Sequence, residues 1–290
     1  MRTSRRGRSV RRTVRRLLAY ALLPALLACG RSTDGPLPAP SSGVACDGPA
    51  RPAVRGERRT IVVGGETREY ILDAPPSEAG AALPLVLSFH GFRSSGRAHR
   101  WWTGLAGLAR RDRFILVNPD GHEGVELVGT TGRGWDIWWG QTRDVDFVRA
   151  LLDALQAERC VDPKRVYATG MSNGGFFASL LGCMLSDRIA AVAPVAGAIG
   201  LRECVPERPP RVLMIYGSAD GVVRSELVHG ARDWWARTLG CGPARADGDC
   251  QRYEGCKTEL VYCEGTHAHR WPRGASQRIW RFFSAPSGRI

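Results

Sequence analysis

Val166-Tyr167-Ala168-Thr169-Gly170-Met171-Ser172-Asn173-Gly174-Gly175 places a serine inside a G-x-S-x-G motif, directly after a short apolar run. Glycines flank the serine because the chain must turn sharply there from strand to helix, and a side chain at either position would collide with neighbouring backbone. Such a turn leaves the Ser172 hydroxyl exposed near the positive end of the helix that follows. The motif also arises by chance, and a glycine-rich turn can serve packing alone. The preceding strand and the helical spacing of Phe176, Leu180, Leu181 and Met184 favour a nucleophile elbow.

A serine hydroxyl is a poor nucleophile at neutral pH, so the elbow demands a histidine base and a carboxylate to orient it. In a strand-turn-helix fold of this kind the order is serine, then acid, then histidine, each on a loop after a successive strand. The apolar run Val212 to Tyr216 leads into Gly217-Ser218-Ala219-Asp220-Gly221, which makes Asp220 the candidate acid; the plain alternative is an ordinary Asp-Gly turn. A second run, Leu260-Val261-Tyr262, leads into Glu264-Gly265-Thr266-His267-Ala268-His269-Arg270-Trp271-Pro272, so one of two histidines is the candidate base. His229 falls within a helix expected from about Arg224 to Leu239 and reads as a surface or core histidine.

The segment from Cys160 to Gly175, the run Ala191-Val192-Ala193-Pro194-Val195-Ala196-Gly197 and the ending His269-Arg270-Trp271-Pro272 together resemble the polyhydroxybutyrate depolymerase and feruloyl esterase group of α/β-hydrolases. The resemblance runs from about Arg59 to Phe283. It implies that the histidine before x-Trp-Pro, His269, is the base and that Asp220 is the acid. The chain departs from the family where Thr266-His267-Ala268 replaces a glycine-rich lead-in, which keeps His267 as the rival.

An ester hydrolase also needs donors for the oxyanion of its tetrahedral intermediate. The residue after the nucleophile supplies one, the Asn173 N–H. The strand Leu85 to Phe89 followed by His90-Gly91-Phe92 supplies the loop for the other, with the Phe92 N–H as donor. His90 reads as a structural hydrogen bonder rather than a base, and with Trp135 and Trp138 it is a candidate substrate-binding residue. Trp135, Trp138 and Trp139 lie in Gly134-Trp135-Asp136-Ile137-Trp138-Trp139-Gly140, between a strand and a helix, where α/β sheets receive substrate. A tryptophan there can stack on a sugar, a phenolic ring or a polyester chain, or simply pack.

Strands expected at about 61–63, 70–73, 85–90, 115–118, 166–170, 190–195, 212–217 and 258–263 alternate in the second half with helical patterns, the clearest at about 144–159 and the last near 276–283. That alternation predicts an α/β fold with a mostly parallel central sheet and helices on both faces. Residues 56–290 read as one catalytic domain, with no internal repeat and no separate polymer-binding module.

Eight arginines precede an apolar stretch from Leu17 to Ala28, too short for a resident membrane helix and suited to a secretory signal over residues 1–29. It ends in Leu26-Leu27-Ala28-Cys29, which resembles a bacterial lipobox with Cys29 as the lipidated residue. Ordinary cleavage nearby, with a soluble product, is the plainer alternative. Residues 30–55, rich in Gly, Pro, Ala and Ser, read as a flexible tether. Of nine cysteines, eight remain after Cys29, an even number that suits up to four disulfides in an oxidising compartment. Four of these, Cys241, Cys250, Cys256 and Cys263, stand shortly before the His269 loop and are expected to staple it; a zinc site lacks the paired knuckle spacing.

The formal net charge of +13 falls to +5 without the signal, 33 basic residues against 28 acidic, and the arginines are scattered. Nucleic acid is therefore not an expected partner. The sequence points to an exported serine carboxylic-ester hydrolase working through an acyl-enzyme without cofactor or metal. Its membrane contact would be only through a lipid anchor at Cys29, placing it outside the cell or in the periplasm or outer membrane. Polyester oligomers and feruloyl or acetyl esters of plant polysaccharide are the open substrate classes. A non-catalytic surface-binding lipoprotein is the alternative of another kind.

Overall fold

The computed structural model describes residues 49–78, 80–138, 140–199 and 204–285. The expected signal, Cys29, most of the tether and Trp139 lie outside the described residues.

The chain runs β1 (Val54–Val63), β2 (Glu66–Ala74), β3 (Leu83–Phe89), α1 (Gly96–Thr103), α2 (Leu105–Asp112), β4 (Ile115–Pro119), β5 (His122–Leu127) and β6 (Thr130–Gly134). It continues through α3 (Arg143–Glu158), β7 (Val161–Met171), α4 (Asn173–Met184), β8 (Ala191–Val195), β9 (Arg211–Gly217) and α5 (Ser225–Thr238). β10 (Ala244–Asp247), β11 (Cys250–Tyr253), β12 (Leu260–Gly265) and α6 (Ala275–Ser284) complete it. Ten strands form one sheet in the order β1-β2-β4-β3-β7-β8-β9-β12-β11-β10, and β5 pairs with β6 apart from it. From β4 through β3, β7, β8 and β9 to β12 the pairs are parallel; both margins are antiparallel.

Strand side chains alternate between faces, and both faces are apolar. Leu85, Leu87 and Phe89 enter one core while Val86 enters the other; Val212, Met214 and Tyr216 oppose Leu213 and Ile215 in the same way. That double burial requires helices on both sides. α3, α4 and α5 cover the first face through residues such as Leu151, Phe177 and Trp235, and α2 with α6 covers the second through Leu105, Leu108, Ile279 and Phe283.

All eight expected strands are present, and so are the helices read at α3, α5 and α6. Three differences carry physical reasons. β1 begins at Val54, inside the stretch read as tether, because the β2 edge needs a partner; Arg51 already bridges to Ser77. The β5–β6 hairpin and the β10–β11 meander escape a reading based on apolar runs because their residues are largely exposed and polar. α4 is buried nearly all round, so its packing centres on Phe177, while Phe176 and Met184 are only partly covered.

Candidate active site

Ser172, Asp220 and His269 follow β7, β9 and β12, at the carboxyl ends of strands close together in the sheet. This is where open α/β sheets form their ligand crevices. Ser172 stands at the β7–α4 turn with φ 55° and ψ −126°, a conformation rare for a residue with a side chain. Its N–H is held by Val195 O at 2.9 Å, and its carbonyl accepts the Phe176 N–H at 2.9 Å. The turn is crowded: a Cβ at Gly170 would strike the Gly174 carbonyl, and one at Gly174 would strike the Phe89 carbonyl. Only glycine fits either position.

Asp220 reaches His269 across 49 residues of sequence, with His269 Nδ1 donating to Asp220 Oδ2 at 2.7 Å. Because Nδ1 carries that proton, the neutral ring presents Nε2 as its free base. The other carboxylate oxygen accepts the Val222 and Val223 N–H groups at 2.8 and 2.9 Å. Burial alone would raise the Asp220 pKa, but the His269 hydrogen bond and these two amides outweigh it and hold the carboxyl below its usual range. Among the described residues, Ser172 Oγ and His269 share no hydrogen bond; such contacts tighten when substrate binds. His267 instead lies over Gly217 and Gly265 with Nδ1 donating to Ala268 O at 3.1 Å, and it meets no carboxylate among the described residues.

The two expected oxyanion donors sit just beyond the carboxyl ends of the neighbouring strands β3 and β7. In the His90–Ser94 loop, Arg93 N–H goes to Arg133 O at 2.7 Å and Ser94 N–H to Gly91 O at 3.2 Å, while no described residue takes the Phe92 N–H. Asn173 opens α4, so its N–H belongs to the unpaired positive end of that helix. A Cβ at Gly91 would stand 3.5 Å from Ser172 Cβ, which places this loop directly beside the serine.

His90 is corrected as a substrate contact. It has no exposed surface, Gly121 N–H donates to its Nε2 at 2.9 Å, and its Nδ1 therefore carries the proton donated to Gly91 O at 2.8 Å. Burial lowers its pKa and keeps it neutral. Trp135 is corrected likewise: fully buried, it stacks on Phe177 at 5.0 Å, and its indole N–H donates to His90 O at 2.9 Å. Trp138, 57 % exposed, stays available to a ligand. With Val125, Ile137, Glu126 and Gln141 it lines a cavity of about 340 Å³ under the β5–β6 hairpin.

Sequence reasoning missed two buried groups beside the site. Arg68 Nη2 donates to Asp144 Oδ1 at 2.6 Å, and Asp144 Oδ2 accepts the Asp136 N–H, so a buried ion pair anchors the Trp135 loop to the start of α3. His99 on α1 packs edge-on to Trp271, two residues beyond His269, at 5.5 Å; burial pushes its pKa to about 3. Nothing in the spacing of either signals burial. The described disulfides join Cys183 to Cys204, Cys241 to Cys256 and Cys250 to Cys263, the last two within the meander that leads into the His269 loop. Cys160 is also disulfide-bonded.

Residues 68–226 match the family described as Esterase PHB depolymerase. The chain belongs to that esterase family. Among its relatives, feruloyl esterase B of Piromyces equi is 32 % identical over 66 % of this chain and 40 % of its own length. The putative esterase NocK of Nocardia uniformis subsp. tsuyamanensis is 34 % identical over 70 % of this chain and 63 % of its own. The chain thus spans only part of these relatives. An acetyl xylan esterase from Aspergillus awamori superposes with a TM-score of 0.62 at 14 % identity, covering 79 % of this chain and all of that one, which shows the shared α/β-hydrolase fold.

Proposed function

We propose that this esterase-family chain is an exported serine carboxylic-ester hydrolase. The observation that carries the reading is the His269–Asp220 pair at 2.7 Å, across the sheet end from a strained Ser172 beside the Phe92 and Asn173 N–H groups, which have no hydrogen-bond partner among the described residues. In this reading Ser172 Oγ attacks the ester carbonyl carbon as His269 Nε2 takes its proton, and Asp220 stabilises the resulting imidazolium. The carbonyl oxygen becomes an oxyanion held by the Phe92 and Asn173 N–H groups. Collapse breaks the bond to the alcohol, which leaves with the His269 proton. Water, deprotonated by the same histidine, then releases the acid and restores the serine.

Substrate class follows from chemistry around Trp138 and from what relatives are named for: feruloyl esterase B, the bifunctional acetylxylan esterase/xylanase XynS20E, and poly(3-hydroxyalkanoate) depolymerase C. Feruloyl or acetyl esters of polysaccharide and hydroxyalkanoate oligomers are the two substrate classes. The disulfides support export, and the Leu26-Leu27-Ala28-Cys29 sequence supports a lipid anchor at Cys29. Hydrolysis of methyl ferulate, acetylated xylan and 3-hydroxybutyrate oligomers, together with fluorophosphonate labelling of Ser172, tests the reading. Labelling at another residue, or activity on none of the three, overturns it. Mass spectrometry of the mature amino terminus tests the anchor.

A further inference from the structure

Trp135 touches both halves of the site although none of its surface is exposed. Its main-chain N–H donates to Asn173 Oδ1 at 2.8 Å, and its carbonyl accepts from Asn173 Nδ2 at 3.1 Å. The same residue's indole N–H donates to His90 O at 2.9 Å. The Asn173 side chain is 2 % exposed, and the indole is fixed between Phe89, edge-on at 5.0 Å, and Phe177, stacked at 5.0 Å. One residue therefore grips the start of the nucleophile helix with its backbone and the His90-Gly91-Phe92 loop with its side chain. Phe92 and Asn173 carry the only amides assigned to the oxyanion; they leave the neighbouring parallel strands β3 and β7, whose ladder stops at Phe89 opposite Gly170, so each amide lies in a loop beyond the last pair, where the ladder alone does not set their spacing.

From this geometry we infer that Trp135 is a positioning residue that sets the distance between the two oxyanion amides. The inference rests on the acyl-enzyme reading above. The buried indole N–H has a single acceptor, the carbonyl one residue before Gly91 and two before Phe92. Removing that donor frees the loop to shift and leaves His90 O buried without its partner. Misplacement by about 1 Å at a reacting group can cost about a hundredfold in rate. A loss of about tenfold to a hundredfold is therefore expected for a shifted amide, less than for its deletion.

Trp135→Phe keeps a ring against Phe177 and removes only the donor. Its kcat on p-nitrophenyl acetate should fall about tenfold to a hundredfold, with KM within about threefold of wild type. The Ki of an aryl trifluoromethyl ketone, which forms a hemiketal oxyanion on Ser172, should rise by the same factor as kcat/KM falls. The matching trifluoromethyl carbinol, which forms no oxyanion, should bind both proteins alike. Asn173→Ala, which removes the other grip, should show the same pattern, and it reads the proposal if Trp135→Phe fails to fold. Unchanged ketone affinity in either folded variant, or a loss confined to KM, overturns the positioning role. A wild-type enzyme that hydrolyses esters yet does not bind the ketone overturns the acyl-enzyme reading, and this inference with it.

Discussion

His269 Nδ1 lies 2.7 Å from Asp220 Oδ2, while His267, two residues earlier, packs on Gly217 and meets no carboxylate among the described residues. Two side chains that alternate along an extended segment share a face, so pattern leaves both histidines eligible. The contact to Asp220 separates them. His269→Ala should lose at least about a thousandfold in turnover, by comparison with triad deletions. His267→Ala should lose far less. Single-turnover kinetics on folded variants measure this, and the reverse ranking would make His267 the base.

Ser172→Ala should fold normally and lose nearly all ester hydrolysis, since no acyl acceptor remains. Ser172→Gly carries a second expectation. The φ of 55° and ψ of −126° cost a residue with a side chain about 1–3 kcal/mol, and glycine escapes much of that. Calorimetry should therefore show the inactive glycine variant melting above wild type. Equal or lower Tm would mean that the turn stores no strain at this residue.

His99 makes the fold sensitive to acid. An imidazole in an unfolded chain titrates near 6.5, whereas His99 in the fold is pushed down to about 3 by burial. Between those values the unfolded chain binds a proton that the folded chain lacks. This contribution to stability is therefore whole above pH 6.5 and declines by about 1.4 kcal/mol per unit as pH falls toward 3. Urea melts from pH 7 to 4 should show a shallower decline for His99→Phe than for wild type. Parallel slopes would remove His99 as the acid-sensitive group.

The Cys250–Cys263 disulfide spans 13 residues and ties β11 to β12, the strand that delivers His269. A bridge closing a loop of about this size contributes about 3 kcal/mol by restricting the unfolded chain. The Cys250→Ser/Cys263→Ser protein should melt roughly 6–12 °C lower, on the scale for domains of this length. Its kcat should fall more than its KM rises, because the loop that holds His269, the proposed base, is less fixed. An unchanged melt would mean that the β10–β12 meander is held by its strand pairing alone.

What was legible in the sequence was whatever a local pattern encodes. The elbow at Ser172, the Asp220 turn and the His269-x-Trp-Pro ending each carry their own strand and turn signals, and the double-sided apolar alternation of β3, β7, β8 and β9 reads directly as a buried parallel sheet. The β5–β6 hairpin and β10–β11 have no such pattern, because exposed strands need no apolar side. Trp135 and His90 read from sequence as candidate substrate contacts because aromatic and imidazole groups near a site suit that role. Their burial depends on Phe177, Asn173 and Gly121, which are up to 42 residues away in sequence and which no window of sequence brings together.

Both margins of the ten-stranded sheet end in charge. Every residue of β10 is exposed, Arg245 pairs with Glu254 at 3.2 Å, and Arg252 of β11 holds Asp247 at 2.9 Å. At the other margin β1 carries Glu57, Arg58 and Arg59 beside an irregular register at Val54/Glu57. An added strand would have to strip water from these ions before forming its first ladder bond. The protein should therefore stay dispersed at high concentration despite its long sheet, and Arg245→Val/Asp247→Val should raise light scattering on storage.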